Sequence, residues 1–92
     1  MKKYIIEREV PNVGNFNRKE MCDVSTKSNE ALRQLSPRIQ WVESFVTKDK
    51  TFCVYLAEDE AVIRRHSELS GIPVKNITEI NQIIDPTTGS PS

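Results

Sequence analysis

The stretch from Trp41 to Ala57, WVESFVTKDKTFCVYLA, limits the fold more than any other part of the chain. Aromatic and β-branched residues fill both of its arms, and Thr47-Lys48-Asp49-Lys50-Thr51 is the only polar break, so the stretch predicts a β-hairpin in the middle of the sequence. Its register decides which side chains share a face, because a slip of one residue turns a whole arm over. A two-residue turn at Lys48-Asp49 aligns Trp41, Glu43 and Phe45 with Phe52, Val54 and Leu56, which sets a carboxylate in the most apolar row. A three-residue loop from Lys48 to Lys50 instead aligns Val42, Ser44 and Val46 with that row, and gathers Trp41, Glu43, Phe45, Cys53 and Tyr55 on the other face. The second register is preferred here. It yields one aliphatic face to lie under helices and one aromatic, partly polar face.

Around the hairpin the elements are bounded by local chemistry. Lys2 to Val10 reads as a strand ended by Pro11, its Glu7-Arg8-Glu9 half reaching the sheet margin. Asn17 and Glu20 have the spacing of a capping box. The helix that follows carries Met21, Val24, Ser28, Ala31, Leu32 and Leu35 on one stripe and stops at Ser36-Pro37. Asp59 is placed to cap a second helix with Val62, Ile63, His66 and Leu69 on its apolar stripe, closed by Gly71 and Pro73. Ile77 to Ile84 reads as a last strand. The order βαββαβ predicts an α+β, ferredoxin-like domain over residues 1–88, with a four-stranded antiparallel sheet, both helices on one face and a flexible tail at 89–92. The other face is then open and too apolar to stay wet. A second copy is expected to cover it, giving a homodimer of the α+β barrel type with a cavity between sheets.

Charge narrows the partners. Thirteen basic residues balance thirteen acidic ones in a chain of 92, so neither nucleic acid nor an anionic membrane is expected to bind. The start MKKYIIEREV is too quickly charged for a signal peptide, and Cys22 and Cys53 lack CxxC spacing, which predicts a cytoplasmic protein with reduced thiols. GxSxG, HExxH, CxxC and phosphate-loop patterns are all missing, so no catalytic assembly is read.

A further group of residues carries a resemblance. Trp41-Val42-x-Ser44-Phe45-Val46-Thr47-x-Asp49-Lys50-x-Phe52-Cys53-Val54-Tyr55-x-Ala57, Ile63-Arg64-x-His66, Gly71-x-Pro73, Ile77-x-Glu79 and Ile84-Asp85-Pro86-Thr87-Thr88 together resemble a family of small domains labelled nickel-binding or nickel-responsive proteins. The resemblance implies a ferredoxin-like dimer and a role for nickel or another divalent transition metal. The nickel-binding branch of that family typically carries a His-x-x-x-His-Gly motif at the end of the second helix, of which this chain keeps the first histidine as His66, and relatives often have a histidine where this chain has Glu43.

The candidate site follows from these readings. Trp41, Glu43, Phe45, Cys53 and Tyr55 are expected to line a ligand cavity on the open face, and His66 with Glu43 is the candidate metal pair, since imidazole suits nickel, zinc and copper and a carboxylate would have to complete the set. Cys53 and His66 are expected on opposite sides of the sheet, too far apart for a nucleophile pair. The leading expectation is a binding protein for a metal ion or small ligand. The alternative is a small dimeric enzyme in which Glu43 or Tyr55 does acid-base work on an organic substrate.

Overall fold

The computed structural model describes residues 1–89 and confirms the predicted order of elements. Four strands, β1 (Lys2–Glu9), β2 (Ile39–Val46), β3 (Lys50–Ala57) and β4 (Asn76–Ile80), form one antiparallel sheet in the order β2-β3-β1-β4. Helices α1 (Arg18–Leu35) and α2 (Glu60–Ser70) cover one face, so the fold is the ferredoxin-like α+β arrangement. Of the expected tail, residues 90–92 lie outside the described part.

Both helices start and stop where their capping residues dictate. The Asn17 side chain accepts from the Glu20 N–H at 2.9 Å while the Glu20 carboxylate accepts from the Asn17 N–H at 3.1 Å, a reciprocal pair that satisfies two otherwise orphaned donors. Asp59 accepts from the Val62 N–H at 3.0 Å, and Gly71 closes α2 with φ 73°, a left-handed conformation that costs glycine little. The stripes behave as their spacing requires. Ser28, Ala31 and Leu35 of α1 and Val62, Ile63 and His66 of α2 are buried against Tyr4, Ile6, Tyr55 and Ala57 of the sheet. Ile6 and Ile63 are fully enclosed, and each contributes roughly 1.5–3 kcal/mol by leaving water.

The last strand is shorter than predicted. Ile80 already pairs with Lys3, so β1 has almost no residues left to bond a longer partner, and Ile83 and Ile84 project into solvent.

The hairpin takes the register that was not preferred. Val46 pairs with Thr51, Phe45 with Phe52, Ser44 with Cys53 and Glu43 with Val54, which leaves Lys48-Asp49 as a two-residue connection. Thr47 closes it: its N–H and hydroxyl both donate to the Lys50 carbonyl, at 2.9 and 3.0 Å. The turn is also clamped from outside by the β1–α1 loop. Asn12 N–H donates to Asp49 Oδ1 at 2.9 Å and Gly14 N–H to the Lys48 carbonyl at 2.9 Å. Gly14 sits so close that a Cβ there would meet Thr47 O at 2.8 Å and Lys48 Cα at 2.9 Å. No glycine is needed in the turn itself, because neither Lys48 nor Asp49 takes positive φ.

One irregularity completes the correction. The β2 register shifts between Trp41 and Glu43, so that Trp41 pairs with Tyr55 and Val42 is the extra residue of a β-bulge, half exposed to solvent. Trp41 and Glu43 therefore face opposite sides of the sheet. Trp41, Ser44, Cys53 and Tyr55 turn toward the helices, while Glu43 and Phe45 join Ile5, Phe52, Val54 and Leu56 on the open face. The expected gathering of Trp41, Glu43, Phe45, Cys53 and Tyr55 on one open face is overturned by this register and bulge.

Candidate functional site

A charged side chain expected at the sheet margin is instead among the most enclosed in the structure. Arg8 shares the alternation of Tyr4 and Ile6 and so points under the helices, where it is only 2% exposed. Its Nη1 donates to the carbonyls of Ile72 at 3.0 Å and Pro73 at 3.2 Å, fastening the segment between α2 and β4 to β1. Its Nη2 reaches Tyr55 Oη and His66 Nδ1, both at 3.5 Å, the outer limit of a hydrogen bond. The guanidinium carbon also lies 5.9 Å from the Tyr55 ring centroid, within cation–π range. The parity of β1 was the available signal. Counting alternate positions from Tyr4 places Arg8 in the core, but the flanking Glu7 and Glu9 disguised it.

His66 is wholly buried between Arg8 and α1. A guanidinium can only donate, so Nδ1 is the acceptor and the ring proton sits on Nε2, facing the Ser28 carbonyl at 3.3 Å and its hydroxyl at 3.2 Å. Burial, helped by the positive charge of Arg8, lowers the imidazole to about 4, so the ring is neutral at physiological pH. Tyr55 packs beside it with ring centroids 5.4 Å apart. Burial pushes the Tyr55 phenol above its usual value against the opposing pull of Arg8, and it stays protonated.

Between α1 and this face of the sheet lies a cavity of about 200 Å³. Val10 and Val13 of the β1–α1 loop, Met21 and Val24 of α1, and Trp41 of β2 give it a largely apolar wall. Arg8, Ser28 and Tyr55 supply polar groups at its surface. The bulge at Val42 is what brings Trp41 to this wall, where its indole N–H donates to Ser44 Oγ at 2.9 Å across the irregularity. Three of the predicted cavity residues, Trp41, Cys53 and Tyr55, thus share a cavity after all, but under the helices. Glu43 and Phe45 lie on the far side of the sheet.

The predicted metal pair is separated as well. His66 is enclosed with both ring nitrogens engaged, and Glu43 is exposed on the opposite face. Among the described residues, no group of three or more His, Cys, Asp or Glu side chains comes together in a way that could hold a metal ion. The adjacent Arg8 cation opposes a second positive charge at His66. A nickel centre built from one copy of this chain does not fit these residues. The register also moves Cys53 to the same side as His66, contrary to expectation. The thiol makes its contact with Thr51 Oγ1 at 3.7 Å and the imidazole with Arg8 and Ser28, so the two form no pair. Glu43 and Tyr55, the two alternative acid-base residues, likewise belong to different faces.

No helix among the described residues is long and apolar enough to cross a membrane. The fold is similar to the crystal structure of SCO4226 from Streptomyces coelicolor A3(2), with a TM-score of 0.71 over 89% of this chain and 99% of that one. At 12% identity the likeness is one of fold alone. No curated protein sequence matches the chain. The family model described as nickel responsive protein SCO4226-like matches residues 4–80, from β1 through β4, and the chain belongs to that family.

Proposed function

We propose that this chain is a binding protein for a small organic molecule, held in the cavity between α1 and the helix-covered face of the sheet. The observation that carries the reading is the cavity itself: an apolar space of about 200 Å³ with Arg8, Ser28 and Tyr55 converging on it. Ligand sites commonly combine an apolar wall with a few placed polar groups, and this one lies below the roughly 300–1,000 Å³ of drug-sized pockets, so the ligand is small. Nickel has no part in this reading, because the donors for it do not converge in one copy.

The same proposal includes pairing of two copies through the open face. Ile5, Phe52, Val54 and Leu56 are only half-buried there and Phe45 is 54% exposed. Of the charges at that face, Glu7 is matched within the chain, 3.4 Å from Lys50 and 3.6 Å from Lys75, while Glu43 stands exposed beside Phe45 and Val54. A surface this largely apolar suits its own copy.

Trp41 is the single tryptophan and lines the cavity, so binding can be read from its emission. A panel of small aromatic and aliphatic compounds is expected to contain members that change Trp41 fluorescence and raise the melting temperature. Val24→Phe, which fills space while leaving Trp41 the single tryptophan, should weaken both responses. A panel without any response in the wild-type protein would overturn the assignment.

A further inference from the structure

We infer that the cavity takes its ligand as a monoanion: a small organic acid whose carboxylate meets the Arg8 guanidinium while its apolar body lies against Met21, Val24 and Trp41. The inference rests on the cavity being the binding site and adds the chemical class of the occupant.

Arg8 is buried to 2% exposure, yet none of the ion pairs among the described residues involves it. All four of its hydrogen-bond partners are neutral: two backbone carbonyls, a phenol and an imidazole. Guanidinium does not give up its proton in proteins, and a buried cation is costly unless an anion accompanies it. The neighbours supply no negative charge. His66 is uncharged, Tyr55 keeps its proton, and Glu7, next in sequence, points to the other face and pairs with Lys50 and Lys75. The cavity wall therefore carries one positive charge without a counter-charge.

The geometry leaves a carboxylate room to bond without dismantling the fold. Nη1 is committed to Ile72 and Pro73 at ordinary distances, but Nη2 holds Tyr55 and His66 only at 3.5 Å and can turn to a better acceptor. Tyr55 Oη accepts from Arg8, which leaves its own proton to donate, and Ser28 Oγ is a further hydroxyl on the same wall. One guanidinium balances one carboxylate. A dianionic phosphate would bring more charge than the site can match.

Matched probes test this in the unmodified protein. Benzoate against benzamide, and hexanoate against hexanamide, are titrated while following Trp41 emission and melting temperature. Each acid is expected to bind at least tenfold more tightly than its amide. Arg8→Met should erase that preference, and because this variant also loses the clasp on Ile72 and Pro73 and can fail to fold, the comparison within the wild-type protein decides. Amides that bind as well as the acids would overturn the inference and leave Arg8 as a structural clasp, with the cavity still a binding site. Acids and amides that both leave Trp41 and the melting temperature unchanged would remove the binding site as well.

Discussion

The two faces of the sheet are made by the same strands, but they treat their residues in opposite ways. On the helix side Tyr4, Ile6, Tyr55 and Ala57 are closed off by α1 and α2, and even a permanent cation, Arg8, is enclosed. On the open side Phe45 is more than half exposed, Ile5, Phe52, Val54 and Leu56 are half-buried, and the Glu7 carboxylate stays near its lysine partners at the surface. Polarity does not sort these residues. Strand parity does, and burial then forces each enclosed polar group to find a partner. Arg8 is held by the carbonyls of Ile72 and Pro73, whereas Phe45 has no such partner and stays in contact with solvent.

The sharpest way to break this contrast is to remove the enclosed cation. Arg8→Met strips donors from Ile72 O, which keeps its bond from the Ser67 hydroxyl, and from Pro73 O, Tyr55 and His66, and an acceptor left unpaired in the interior costs about 1–3 kcal/mol before relaxation. A net loss of about 3 kcal/mol is expected in urea unfolding. A loss below about 1 kcal/mol would mean that Arg8 occupies the helix side without holding it together.

Next in size is the response of the same cluster to acid. His66 stands at about 4 in the folded chain against 6.5 for the free group, so between those values the unfolded chain binds more protons. The stability tied to the neutral ring is therefore complete above pH 6.5 and is lost as the pH falls toward 4. Linkage gives a loss of about 2 kcal/mol by about pH 5. Urea midpoints at about pH 7 and about pH 5 measure it, and a flat profile would contradict a buried neutral His66.

The smallest effect on the single chain is expected on the other face. Phe45→Ser should change the stability of the subunit by no more than about 0.5 kcal/mol, because the ring is already half in water. Its consequence should appear in assembly instead. Light scattering at micromolar concentration is expected to report a dimer for the wild-type protein and a monomer for the variant, and a wild-type monomer would end the proposed pairing.

Much of the architecture was legible in the residues. The capping box at Asn17 and Glu20, the Asp59 cap, the Gly71 terminus and both helical stripes are written in residues three or four apart and formed as read. The candidate site was only partly legible. Trp41, Cys53 and Tyr55 do meet, but Glu43 and Phe45 were grouped with them by a hairpin register one residue out. Arg8 is harder to read, because a charged residue between two acids looks like a strand end although its alternation with Tyr4 and Ile6 points inward.

By itself the amino-acid sequence determined the order of elements, the helix ends and the ferredoxin-like class, since each rests on interactions between near neighbours in the chain. Tertiary structure alone decided the register of the hairpin, the bulge at Val42, the burial of Arg8 and hence the cavity. Those depend on contacts between distant segments: the β1–α1 loop clamping the turn through Asn12, Gly14 and Asp49, and the connection after α2 offering its carbonyls to Arg8. A pattern of alternating residues fits either register locally, and the choice is made only when remote backbone groups find their partners.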